Sequence, residues 1–418
     1  MSAPTASVSI DLDGVVRPVG TLYAQRARGK ETATFQYDPT WLAAQDRFAL
    51  APALVVTAGA FYTAPGHALF GALSDSAPDR WGQTLMRRSE RLRAHAAGTT
   101  PRTLRAVDFL LGVSDTTRQG ALRFSLTPAG EFVAREHATA VPPLVDLPRL
   151  LSATEHFLAD EESADDLQLL LAPGSSLGGA RPKVSVRDRD GQLLIAKFPK
   201  HDDSYRVVVW EAVALDLAAA AGITVPRYRV ESVAGRDVLL VTRFDRASAT
   251  RIPYLSAMSL LDAFDGDTRS YVEIADALRA HGAGARADLE ELWRRLVFSV
   301  LISNTDDHLR NHGVLYAGPT GWRLSPVFDV NPVPLDVKAR TLSTTIAPDG
   351  DPTASLELAR EAAPQFGLSV DETNAITRQV GIVVSTWRRV ATRRGIAAPE
   401  IDRMASAFEH SDLAAAVG

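Results

Sequence analysis

ISNTDDHLRNH at 302–312 is the stretch on which the reading of this chain turns. It follows ADLEELWRRLVFSVL, where Leu289, Leu292, Trp293, Leu296 and Val300 recur at helical spacing, so a largely buried helix is expected to deliver a polar cluster at its end. Within that cluster Asp306 and Asn311 stand five residues apart. A carboxylate can take the proton of an attacking hydroxyl, and an asparagine offers a neutral oxygen to a hard cation such as magnesium. This D-x-x-x-x-N spacing is that of a protein-kinase catalytic loop, with Asp306 as base and Asn311 as metal ligand. Asp307 misses the spacing by one, so a supporting or solvent-exposed role is expected for it.

Working outward, LSPVFDVNP at 324–332 places Asp329 after an apolar, strand-like run, where the metal-binding aspartate of a DFG-type segment would stand. Each pattern alone is weak, since an aspartate after an apolar run is more often a turn or a helix cap. Upstream, Lys197 sits in LLIAKF among apolar neighbours, so its ammonium must emerge at an edge or meet an anion. Nucleotide phosphates would satisfy it; the ordinary alternative is a snorkelling lysine. Glu211, an acid inside the apolar run VVVWEAVALDL, could orient Lys197 or make a structural salt bridge. Finally, PGSSLGGARPK at 173–183 is a serine- and glycine-rich loop whose amides could wrap phosphates, ending in Lys183, although it matches neither common phosphate-loop pattern. Cation, metal ligands and base are the parts that phosphoryl transfer requires, and they come in the order of a strand-rich first lobe and a helical second one.

The bulk numbers bound the problem. At 418 residues, 46% hydrophobic and 23% charged, the chain is expected to fold into two or three packed units. A net charge of -5 argues against coating nucleic acid unaided. The absence of cysteine excludes a disulfide framework, a thiolate zinc site and a cysteine nucleophile. The start MSAPTASVSIDLDG lacks the features of a signal peptide and no apolar run approaches 18 residues, so a cytoplasmic location is expected.

Along the chain, VSIDL at 8–12 and ATFQY at 33–37 predict a small antiparallel sheet. SAPDRWGQTLMRRSERLR at 76–93 predicts a helix opening at Ser76, with its arginines forming a solvated face. Three prolines at 137–148 mark a boundary, followed by a helical stretch over 149–172. PKVSVRD with QLLIAKF, and PRYRVESV with RDVLLVTRF, predict two hairpins separated by a buried helix over 204–223. Ser369 and Glu372 form a capping box opening a helix expected to run through Trp387 to about Arg394. The expected fold is α+β: an N-terminal subdomain over 1–140, a β-rich lobe over 141–250, and an all-helical C-terminal lobe over 251–418.

SSLGGARPK at 175–183, LLVTRFDR at 239–246, ISNTDDHLRNH at 302–312 and LSPVFDV at 324–330 together resemble the HipA-like toxin kinases, as do VGTLYAQ at 19–25, FGALSDSAPDRWGQTLMRR at 70–88 and DFLLGVSDTTRQGALRF at 108–124. The resemblance implies a two-lobed, protein-kinase-like serine/threonine kinase using ATP and magnesium. Ser176 matches a loop serine that autophosphorylates and switches the enzyme off, and Ser175 beside it leaves the position open by one. Gly178, Gly179, Ala180, Arg181 and Lys183 would cover the phosphates, Lys197 would bind them, and Thr242, Arg243 and Phe244 match the adenine-touching hinge. Asp306 matches the base, His308 a nucleotide-contacting position, and Asn311 with Asp329 the magnesium ligands. Arg181-Pro182 departs from the family's usual glutamine-containing loop. The resemblance further implies a helix-turn-helix antitoxin of HipB type, operator DNA bound through it, and an aminoacyl-tRNA synthetase of the glutamyl type as substrate.

Two rivals belong to other classes. His308 and His312, four apart, would share a helical face and could build a metal-dependent hydrolase with Asp306, Asp307 and Asp329, but that leaves Lys197 and the serine-glycine loop idle. A non-catalytic corepressor that binds antitoxin and DNA would be expected to have lost one of Lys197, Asp306, Asn311 and Asp329, and all are present.

Overall fold

The computed structural model describes residues 5–27, 29–134, 141–171, 181–248, 250–348 and 350–418. They fall into two compact units, Met1–Asp202 with Glu231–Leu255, and Asp203–Val230 with Ser256–Gly418.

The first unit begins with the expected antiparallel sheet, enlarged to five strands in the order Ala60–Tyr62, Lys30–Tyr37, Val15–Ala27, Thr5–Leu12, Leu122–Ser125. Alternation sets its faces: Val8, Ile10, Leu22 and Phe35 are buried. Gly20 is required where Thr5–Leu12 bulges against Val15–Ala27, because a Cβ there would stand 2.3 Å from the Gln36 carbonyl oxygen. The following helix spans Arg80–Ala96 and starts later than the Ser76 opening expected from sequence. Its cap is Asp79, whose Oδ1 accepts from Gly82 N at 2.8 Å, so the carboxylate next to the helix sets the boundary. One of the arginines expected to be solvated is not: Arg88 packs 4.1 Å over the Phe157 ring and pairs with Glu162 at 2.8 Å.

The helical stretch expected over 149–172 is two helices, Leu147–Leu158 and Ala164–Leu171. Asp160, with φ 59, takes the left-handed turn between them. Both pack on a second sheet, Lys183–Arg187, Leu193–Lys197, Arg236–Thr242 and Tyr228–Val233 in that order. Ala234 and Gly235, at φ 47 and 78, make the tight turn that joins the last two strands. Val184, Val186, Leu194, Ala196, Phe198, Val238 and Leu240 face Trp81, Leu150 and Phe157 in one apolar core. The alternate residues Ile195, Lys197, Leu239 and Val241 therefore lie on the sheet's other face.

The second unit is built around Ala285–Leu301, whose Leu292, Trp293, Leu296, Val297 and Val300 are completely buried. Val207–Ala220 is apolar on every side and accordingly buried on nearly every side. The capping box at Ser369 and Glu372 is present and opens Val370–Val384. That helix stops before Trp387, and a separate one runs Trp387–Arg393. The break falls where Ser385 and Thr386 turn their hydroxyls back onto the carbonyls of Ile382 and Val383, competing for helix acceptors. Residues 251–418 depart from the all-helical expectation in a three-stranded sheet, Tyr254–Ser256, Gly313–Tyr316 and Trp322–Leu324 in that order. The overall class remains α+β. No helix among the described residues is long and apolar enough to cross a membrane.

His410 caps the last helix, Ser411–Val417, and is pushed down to about 4 by burial and, after that, by the charge of Arg340. Because the folded-state pKa lies below that of the unfolded chain, unfolding takes up a proton between those values. Stability is therefore complete above about pH 6.5 and falls by up to about 3 kcal/mol as the solution approaches pH 4. Denaturant melts from pH 7 to 4.5 are expected to show a flatter profile for His410→Asn, whose amide oxygen can replace His410 Nδ1 as the acceptor for Leu413 N. Parallel profiles for the two proteins would exclude this histidine as the source.

Candidate active site

The helix Ala285–Leu301 ends at Ile302, and Ser303 takes φ 52 to turn the chain out of it. The loop that follows is fixed at nearly every peptide. Ser303 Oγ donates to Ala407 O at 2.8 Å, Asn304 Nδ2 reaches Ser299 Oγ at 3.3 Å, and Thr305 O accepts from Lys338 Nζ at 2.7 Å and Ser343 Oγ at 2.9 Å. Asp306 O accepts from His308 N at 3.0 Å and from Asn311 Nδ2 at 2.9 Å, which closes 306–311 into a ring.

The two adjacent aspartates diverge. Asp306 is exposed. Asp307 is 3% exposed, which corrects the expectation that it could face solvent. Its Oδ2 accepts from the Tyr271 hydroxyl, and its Oδ1 lies 2.7 Å from His312 Nε2. The Tyr271 and His312 rings meet edge to face at 5.1 Å. The histidine pair does not sit on an α-helix: His308 and His312 flank a single 3-10 turn, Leu309–Asn311, so the shared helical face expected for a hydrolase site is not formed.

The segment carrying Asp329 is irregular instead of strand-like, since the strand ends at Leu324. It is tethered to the loop: Asn331 N donates to Asn304 Oδ1 at 3.3 Å and Val333 N to Ser303 O at 3.2 Å. Asp329 adopts φ 53, a left-handed conformation that aspartate tolerates better than most residues. Asn304, Asp307, Asn311 and His312 join Val327 and Phe328 around one small cavity, about the size of a single water. The structure thus brings the 302–312 and 324–332 stretches together.

Asn311 also supplies the test of fit for a magnesium ion. Its amide nitrogen is committed to Asp306 O, while its Oδ1 is buried with no hydrogen-bond partner among the described residues. An oxygen so stripped of water costs about 1–3 kcal/mol unless something takes it, and a hard cation would. Among the described residues no group of three or more His, Asp or Glu side chains is arranged to hold a metal. An asparagine with one aspartate is the sparse donor set of a magnesium ion whose other ligands are phosphates and water.

In the first unit, Lys197 ends its strand on the face turned away from the core and lies in register opposite Lys183. Lys183 is buried, and its ammonium lies 3.3 Å from Asp79. Arg181 is half-buried beside it, whereas Ser175, Ser176, Gly178, Gly179 and Ala180 lie outside the described residues. Glu211 is buried on Val207–Ala220, in the second unit. Thr242 closes the Arg236–Thr242 strand, and Arg243 N continues the ladder to Leu193 O at 3.0 Å. The Arg243 guanidinium is engaged by Asp245 at 2.6 Å and by the carbonyls of Thr117 and Arg118. Asp245 is held well below the usual carboxylate range by Arg243 and Arg246 despite its burial. Phe244 leans on Tyr254 with centroids 6.2 Å apart.

Sequence reasoning missed Tyr271, Lys338, Ser343 and the partnership of His312 with Asp307. Only the last had a local signal, two titratable residues five apart in one loop.

Fold and loop together define a protein-kinase-like α+β protein. The family described as the HipA-like C-terminal domain matches residues 175–387, and the HipA N-terminal domain matches 11–124. The chain belongs to the HipA-like kinase family. A Haemophilus influenzae protein named "Putative kinase" is 25% identical over 189 residues, 38% of this chain and 54% of that one. A like-named protein of Sinorhizobium fredii is 25% identical over 244 residues, 52% of this chain and 53% of that one. The chain spans about half the length of the curated relatives it matches. The solved complex of HipA, HipB and operator DNA from the Shewanella oneidensis MR-1 toxin–antitoxin system has a TM-score of 0.64 at 16% identity, covering 98% of this chain and 96% of that chain. At that identity the likeness is one of fold.

Proposed function

We propose that this chain is an ATP-dependent serine/threonine protein kinase and the toxin of a HipA/HipB-like pair. The observation that carries the reading is the closed 306–311 ring, which leaves Asp306 exposed and Asn311 Oδ1 buried without a hydrogen-bond partner among the described residues. Asp306 accepts the proton of the substrate hydroxyl. Asn311 and Asp329 hold magnesium, which when bound neutralises charge on the nucleotide phosphates. Lys197, oriented by Glu211, binds those phosphates, with Gly178, Gly179, Ala180, Arg181 and Lys183 covering them. His308 contributes to the nucleotide site. Thr242 to Phe244 touch adenine, Arg243 through its backbone, because its side chain is engaged elsewhere.

The functional segments of this proposal are 1–140, 141–250 and 251–418. Its partner is a helix-turn-helix antitoxin of HipB type, through which it reaches operator DNA. Its substrate is an aminoacyl-tRNA synthetase of the glutamyl type, and it acts in the cytoplasm. Phosphorylation of Ser176 by the chain itself switches it off.

Incubation of the purified chain with ATP and magnesium is expected to give one phosphoserine, at Ser176, by peptide mapping. ATP with magnesium at about 100 times Kd is also expected to stabilise the chain by about 2.7 kcal/mol. No transferred phosphate and no thermal shift would overturn the proposal.

A further inference from the structure

Phosphoryl transfer spreads negative charge over the group in flight, and cations fixed beside it lower the barrier. The second unit places several cations around the 303–311 loop, and most are neutralised. Arg295 pairs with Glu291 at 2.7 Å, Arg310 with Asp265 at 3.0 Å, and Arg340 with Asp412 at 2.7 Å. Lys338 differs. Its ammonium donates to Thr305 O at 2.7 Å, and among the described residues no carboxylate pairs with it. The acid nearest in sequence, Asp336, is taken by Arg403 at 2.8 Å.

The placement is built, too. Val337 N and Lys338 N both donate to Pro334 O, at 2.9 and 3.2 Å, so a tight turn presents the lysine. Thr305 O, the acceptor, belongs to the peptide that leads directly into Asp306. Ser343 Oγ fills that carbonyl's second acceptor position at 2.9 Å, so the orientation of the peptide is set from two sides. One of three ammonium donors is used on the carbonyl, and Lys338 stands in an exposed stretch. An uncompensated positive charge is thus anchored one residue from the proposed base.

We infer that Lys338 is a further catalytic residue: its ammonium contacts the phosphoryl group as it passes to the hydroxyl held by Asp306. The inference rests on the kinase reading above. In the step, the bond from the γ-phosphorus to the β–γ bridging oxygen breaks and its electron pair leaves with ADP. A bond forms from the substrate hydroxyl oxygen to phosphorus, and the hydroxyl proton passes to the Asp306 carboxylate. The Lys338 ammonium offsets the charge on the group in flight.

The test is the initial rate of phosphate incorporation from radiolabelled ATP into the purified full chain, as a function of ATP concentration with magnesium. Lys338→Gln keeps a donor for Thr305 O but removes the charge; Lys338→Arg keeps both. The glutamine variant is expected to lose about 100-fold in maximal rate, with the half-saturating ATP concentration within about threefold of wild type. The arginine variant is expected within about tenfold of wild type, and both should melt with the wild type. An active wild type with an equally active Lys338→Gln overturns the inference and leaves the kinase reading standing. Equal losses in both variants together with lowered melting temperatures also overturn it, showing an anchor for the loop and nothing more. A wild type that transfers no phosphate overturns both.

Discussion

Asp306→Asn is expected to lower phosphate transfer by about 10²–10⁴-fold, the usual contribution of a positioned general base, and to shift the melting temperature by no more than about 2 °C. The second half of that expectation comes from the structure. Asp306 is exposed, and among the described residues its carboxylate has no hydrogen-bond or ion-pair partner. What organises the loop at this position is the backbone carbonyl, bound by His308 N and Asn311 Nδ2, and an asparagine leaves it in place. Radiolabel incorporation and a thermal melt on the same preparation decide the matter. A variant that melts early would make Asp306 structural, and one that transfers phosphate at the wild-type rate would remove it from the chemistry.

Its neighbour should behave in the opposite way. Asp307→Ala is expected to destabilise the second unit by about 3–5 kcal/mol, because it deletes the buried acceptor of the Tyr271 hydroxyl and leaves both that hydroxyl and the adjoining His312 ring nitrogen against an empty space. Tyr271 would keep a buried hydroxyl and His312 a buried ring nitrogen, both facing the space left by the carboxylate. For a unit of this size the loss corresponds to a fall of roughly 10 °C in melting temperature. Activity measured well below the transition should suffer far less than in Asp306→Asn. A melting temperature equal to wild type would mean that the buried triad contributes nothing to stability.

These two residues show where the sequence stopped being informative. D-x-x-x-x-N is a local pattern, and the ring it forms closes through hydrogen bonds within six residues, so its existence was legible without any tertiary knowledge. Which way each carboxylate points was not. Asp307 is held in the interior by Tyr271, 36 positions upstream, whose hydroxyl donates to its carboxylate. Lys338 reaches Thr305 across 33 positions, and no spacing rule connects them. The helix boundaries fared in the same manner. The capping box at Ser369 and Glu372 was readable because both partners lie within one turn. The break before Trp387 was not, because the apolar rhythm continues through it while the Ser385 and Thr386 hydroxyls redirect the backbone.

By itself, then, the sequence determined those elements that local pattern specifies, and it missed the strands Gly313–Tyr316 and Trp322–Leu324. Side-chain periodicity and caps act over a few residues, where the backbone leaves little choice: 2 for the LLIAKF strand, 3.6 for the helix before the loop. The tertiary structure alone decided the environment of each polar group: Arg88 on Phe157, Arg243 on the Thr117 carbonyl, Asp307 on the Tyr271 hydroxyl. Burial depends on what arrives from distant parts of the chain, and the same kind of carboxylate is available for chemistry in water and structural where a buried tyrosine hydroxyl claims it.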